Sequence, residues 1–170
     1  MPPLTADERT NLEAWLDFYR ATLALKCAGL TEEQLRSASV QPSPLTLLGL
    51  VRHLAEVERN WFRRVLAGED APPRFATAAS GRDSGGFDLS DVPADADADA
   101  PFAAALAAWR EETVRARANC AARELEATVP FPGGGEVTLR WIYTHMIAEY
   151  ARHSGHADLI RERIDGATGV

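Results

Sequence analysis

The sequence predicts an all-α protein built as a four-helix bundle. Apolar residues recur at three- and four-residue spacing in four separate stretches, helix-start signals stand ahead of them, and no useful length alternates with strand period. Four long amphipathic helices closing on one core make a bundle. At 170 residues the chain reads as one domain, residues 1–170, large enough to bury a core without disulfides or a structural metal.

Thr5 followed by Glu8 forms a capping-box pattern that opens a helix placed at 6–28. Leu12, Trp15, Leu16, Tyr19 and Leu23 make its apolar stripe, and Gly29 follows as a left-handed stop. Thr31 to Leu35 repeats the cap pattern in miniature, giving a short helical turn before the loop Ser37 to Pro42. Ser43 and Pro44 begin the second long helix, because proline fits a first turn whose N–H has no intrahelical acceptor. Leu47, Leu50, Leu54, Val57, Trp61 and Val65 carry its stripe, His53 borders it, and the helix ends near Gly68.

Residues 68–100 change character: prolines, glycines, serines and seven aspartates leave no periodic apolar face. A connection this long inside a compact domain is usually functional or mobile, and it could cross a bundle. Asp95, Asp97 and Asp99 resemble the opening of a calcium loop, but Ala100 replaces the required glycine and Leu106 the closing glutamate, so a solvated acidic helix start is expected. Pro101 begins the third helix, which runs to about Ala122 with Phe102, Ala105, Leu106, Trp109 and Thr113 on one face. Phe131 to Gly135 is a turn-rich loop, Thr138 caps the fourth helix, and that helix runs from Leu139 to about Ile164 before Asp165-Gly166. Trp15, Trp61, Trp109 and Trp141 lie on the stripes and are expected in the core, with one or two lining a pocket.

In the fourth helix, 100° per residue puts His145, Glu149, His153 and His156 inside an arc of roughly 80° that also holds Ile142 and Ile160. A carboxylate buried beside imidazoles needs a compensating cation, and a metal ion is the first candidate. Glu149 and His153, one turn apart, can ligate one ion, and His53 from a facing helix completes a three-ligand site. Two histidines and a carboxylate leave a coordination position open, the arrangement of catalytic rather than structural zinc. Zinc is preferred, with nickel or iron as chemical alternatives. His145 reads as a core residue. Arg152 reads as a salt-bridge partner or a contact for a substrate anion, and His156 as a fourth ligand, a partner of a ligand, or a substrate contact.

Cys27 and Cys120 are isolated, which suits a reducing compartment and excludes a thiolate cluster. Met1 to Glu8 shows no basic region followed by an apolar one, and no apolar run approaches membrane-spanning length, so a cytoplasmic location is expected. A net charge of −7 without a basic stripe argues against nucleic acid or an anionic membrane as partner.

Leu50-Val51-Arg52-His53-Leu54 and Glu149-Tyr150-Ala151-Arg152-His153-Ser154-Gly155 together resemble the DinB superfamily of metal-binding four-helix bundles. That superfamily includes mycothiol-dependent maleylpyruvate isomerases and related thiol-dependent transferases. Glutamate as the first ligand of the late pair is similar to the isomerase-like branch. The resemblance, which covers nearly the whole chain, implies His53, Glu149 and His153 as metal ligands and an up-down-down-up bundle with the long second connection as crossover. It also implies a homodimer. Where the superfamily often has glutamine after the glycine, this chain has His156.

The expected function is therefore thiol-dependent S-transfer or isomerisation, in which an open divalent metal activates a low-molecular-weight thiol toward an electrophile. Arg152 and His156 are the candidate contacts for the bound thiol. Metal-assisted hydrolysis and a dimeric, non-catalytic metal-binding stress protein are the alternatives.

Overall fold

The computed structural model describes residues 1–75, 84–92 and 100–169. It is mostly helical, as the periodicity predicts. Helix α1 spans Glu8–Cys27, but its cap is Asp7: the carboxylate accepts the Thr10 N–H at 3.0 Å and the Thr10 hydroxyl at 2.6 Å. The expected Thr5–Glu8 box is displaced because Asp7 reaches the same free N–H groups with a charged acceptor. Gly29 then turns the chain with φ +75°. Helix α2, Glu32–Arg36, has a reciprocal capping box between Thr31 and Gln34.

Helix α3, Leu47–Glu58, starts three residues later than Ser43 and Pro44 suggested. Ser43 is used in a turn, where its hydroxyl accepts the Leu45 N–H, and Thr46 caps the helix through the Gly49 N–H at 2.9 Å. From Arg59 to Val65 the same helix continues as a π-helix. Helix α4 spans Ala100–Ala121. The acidic run at 95–99 lies outside the described residues.

The segment read as a turn-rich loop is the tip of a short hairpin. Strands β1, Thr128–Pro130, and β2, Glu136–Thr138, pair antiparallel with Val129 opposite Val137. Both valines are buried. Three residues per strand are too few for alternation to register against a helical background. Thr138 ends β2 and caps α5, Leu139–Asp165, whose C-terminal stop is Gly166 at φ +78°.

Helix α1 packs along α5, α3 along α4, and α3 also meets α5 and α1. Leu16, Leu50, Leu54, Phe62, Ile142 and Met146 are among the fully buried side chains of the shared core. Cys27 and Cys120 are buried and unpaired, and burial pushes their thiols up to about 12 and about 11. Neither is a nucleophile at neutral pH. Trp109 is buried as expected, but Trp15 and Trp141 are not core residues: 36% and 48% of their surface is exposed. Among the described residues no helix is long and apolar enough to cross a membrane.

A polar network crosses this core. Arg20 of α1 makes a bidentate pair with the fully buried Glu58 of α3, both contacts at 2.8 Å. Tyr150 of α5 donates its hydroxyl to Glu58 at 2.8 Å, and Trp109 of α4 donates its indole N–H to Tyr150 at 2.7 Å. Burial first, and then the Glu58 charge, hold Tyr150 protonated and hence a donor. A second buried carboxylate, Glu112 of α4, accepts from Arg59, Arg63 and Arg74 and fastens the π-helical stretch to α4. Arg20→Met strands Glu58 in the core and should cost about 3–5 kcal/mol, against about 1–2 kcal/mol for Tyr150→Phe. Urea denaturation measures both, and an undiminished stability of Arg20→Met would contradict this role for the network.

Candidate metal centre

Glu149 and His153 face α3 because the residue between their turns, Tyr150, is held in the core by Glu58. His53 stands five positions before Glu58 on α3. The helices bring the three residues together: Glu149 Oε1 lies 3.2 Å from His53 Nε2 and 3.1 Å from His153 Nε2. One donor atom from each fits within 4.8 Å of the others, and the group could hold a metal ion. His153 is buried and the other two partly so.

A piece of the long connection completes the site, which sequence reasoning missed. Gly86, at φ +88°, passes so close to α3 that an added Cβ would lie 2.8 Å from the Arg52 carbonyl carbon and the His53 nitrogen. Only glycine allows both that approach and that backbone. The close passage sets the Gly85 carbonyl 2.7 Å from His53 Nδ1 and stacks the Phe87 ring on the imidazole, centroids 4.0 Å apart. Arg52 anchors the segment through a bidentate pair with Asp91, at 2.9 and 2.8 Å. The paired glycines followed by an aromatic were the one sequence signal of this docking.

These contacts fix the protons. A carbonyl only accepts, so His53 Nδ1 carries a hydrogen, and the tautomer with its single hydrogen there turns the Nε2 lone pair toward the Glu149 carboxylate. Two acceptors facing each other call for a cation between them. His153 Nε2 is aimed at the same oxygen, while its Nδ1 lies 3.2 Å from His156 Nδ1. With His153 Nδ1 donating to His156, its Nε2 is likewise free to bind a cation. Donor types and tautomers thus fit a divalent ion. Burial opposes the Glu149 charge, but the facing imidazoles of His53 and His153 hold its carboxyl below the usual range. Burial, then the proximity of His53, pushes His153 down to about 4.

His156 sits on the far side of the His153 ring and outside the three-residue group. The Arg152 side chain is 66% exposed, and its Nη1 lies 3.3 Å from Glu149 Oε2. His145 stacks on Trp141, with ring centroids 5.0 Å apart, and contacts Trp61, while Trp61 stacks on Phe131 of the hairpin. A cavity of about 230 Å³ beside His53 is lined by Glu56, Asn60, Trp61, Arg64 and Gly85. A larger one, about 350 Å³, lies around Glu13, Asp17 and Cys120 and touches none of the three donors.

The family model for mycothiol S-transferase matches residues 11–166 of this chain. No curated protein matches it.

The depressed His153 gives the metal-free protein a pH signature. Between pH 6.5 and about 4 the unfolded chain holds a proton on this residue that the fold excludes. The stability it contributes is complete above pH 6.5 and is lost as pH falls through about 4. Urea midpoints of metal-free protein should decline over that window, and His153→Asn should flatten the decline. An unchanged slope in His153→Asn would contradict the buried neutral imidazole.

Proposed function

The chain belongs to the mycothiol S-transferase family, and from that premise we propose that it transfers a low-molecular-weight thiol, mycothiol by family, onto a small electrophile at a divalent metal held by His53, Glu149 and His153. The observation that carries this reading is the aim of both imidazole Nε2 atoms at one Glu149 oxygen, with the His53 tautomer fixed from outside by Gly85. Three protein donors, one anionic, are the complement of a catalytic zinc site. An ion bound there, zinc by preference, supplies the positive charge that lets a thiol ionise at neutral pH.

The chain's own residues do the rest. Gly85 and His156 hold the two imidazoles in their binding tautomers, and Phe87 covers His53 from water. Both cysteines are buried with raised thiols, so the nucleophile comes from outside. In the transfer the thiol gives its proton to solvent water, sulfur bonds to the electrophilic carbon, and the leaving group departs from that carbon with its electron pair. Arg152 and His156 contact the bound thiol at the rim of the site. For the architecture we propose one domain over residues 1–170, an up-down-down-up four-helix bundle with 68–100 as its crossover. The pairing of α1 with α5 and α3 with α4 supports it. Unpaired buried cysteines favour the cytoplasm. Exposed Leu25 and Leu159, on the adjoining helices α1 and α5, are apolar surface that a homodimer would cover.

Protein purified without added metal should carry about one divalent ion per chain, and His53→Ala or His153→Ala should remove it. Full occupancy in both variants would refute the ligand set. Cobalt-substituted protein should gain sulfur-to-metal absorption when a low-molecular-weight thiol is added, and should consume thiol with a reactive electrophile. Absorption without turnover would identify a binding protein. No response to thiol would remove the transferase reading.

A further inference from the structure

The cavity beside His53 contains a cation that the chemistry above leaves unused. Arg64 donates its Nε–H to the buried carbonyl of Ala71, which fixes the plane of the guanidinium. Its Nη2 is buried and has no hydrogen-bond partner, and among the described residues no carboxylate pairs with it. A buried guanidinium nitrogen without an acceptor is costly, because each N–H has given up water and gained nothing. The neighbouring arginines differ: Arg59 and Arg63 are both committed to Glu112. The carboxylate that shares the cavity, Glu56, is turned to other donors and accepts the backbone N–H groups of Arg74 and Phe75.

Arg64 and His53 lie at most roughly 16 Å apart along the axis of one continuous helix, and a long helical side chain sweeps back toward the N-terminus, here toward His53. Both line the same space, together with Asn60 and Trp61. The exposed Trp141 and Phe131, which contact Trp61, extend that aromatic surface to the hairpin.

We propose that Arg64 is an anion-recognition residue and that this cavity receives an electrophile with a flat apolar body and a carboxylate, its body on Trp61 and its carboxylate on the guanidinium. The proposal rests on the S-transfer reading and names the class of co-substrate. An arginine whose Nε is already tied presents the remaining N–H groups in a fixed direction, which suits a planar carboxylate better than a mobile lysine would. Arg64, half-buried in a cavity that His53 also lines, fits that role better than the solvent-exposed Arg152, already engaged with Glu149.

The test uses benzoate as probe and benzamide as its uncharged isostere, titrated calorimetrically into the zinc-loaded full-length protein, Arg64→Gln and Arg64→Lys. Wild type should prefer benzoate. Arg64→Gln should weaken benzoate roughly tenfold or more and leave benzamide unchanged, and Arg64→Lys should lose part of the preference, since charge survives but the fork does not. Metal content and helical circular dichroism of both variants, matching wild type, establish that the site is otherwise intact. Equal benzoate affinity in all three proteins, no benzoate binding by wild type, or binding that vanishes with zinc but not with Arg64 would each overturn the proposal. A cobalt site that ignores thiol while benzoate binding still depends on Arg64 would sink S-transfer and leave the anion site standing.

Discussion

The buried pair between Arg20 and Glu58 is the contact on which the rest of the molecule depends. A charge pair in a helical core gains little stability over apolar residues of the same size, because both ions are stripped of water. Its value here is directional. Glu58 accepts from α1 through Arg20 and from α5 through Tyr150, and Trp109 of α4 closes the chain of donors. These directional contacts specify the rotation of α5 about its axis, which purely apolar contacts would define less sharply. Tyr150 pointing at Glu58 puts Glu149 and His153 opposite His53.

Two kinds of structure therefore build the donor group. Helices place the donor atoms, since i,i+4 spacing on α5 and a facing position on α3 are rigid and repeatable. The irregular segment 84–92 sets the protonation of one of them and shields it, with a backbone carbonyl and an aromatic ring that only the glycine approach makes possible. This division explains how a site can be both held firmly and open on one side. The cavity that leads away from His53 runs along the same helix through Trp61 to Arg64.

Most of the helical content was legible in the sequence, as was the trio His53, Glu149 and His153, because both are governed by the 3.6-residue period. What escaped has no period. The caps at Asp7 and Thr46 were decided by competition among neighbouring side chains for the same N–H groups, which spacing cannot resolve. The hairpin at Val129 and Val137 is shorter than one readable alternation. The π-helical stretch leaves the apolar pattern of Trp61 and Val65 looking α-helical. The role of Gly85 to Phe87 depends on a three-dimensional approach, and Arg64 reveals itself only through the partner it lacks.

The claim that the connection between α3 and α4 prepares His53 for a cation is tested most directly by nitrogen-15 NMR of the histidine rings. In metal-free protein and after zinc is added, His53 Nδ1 should carry a proton, donated to Gly85, and its Nε2 resonance should shift on zinc binding. A His53 whose Nδ1 is unprotonated in either state, or whose Nε2 ignores zinc, would contradict it.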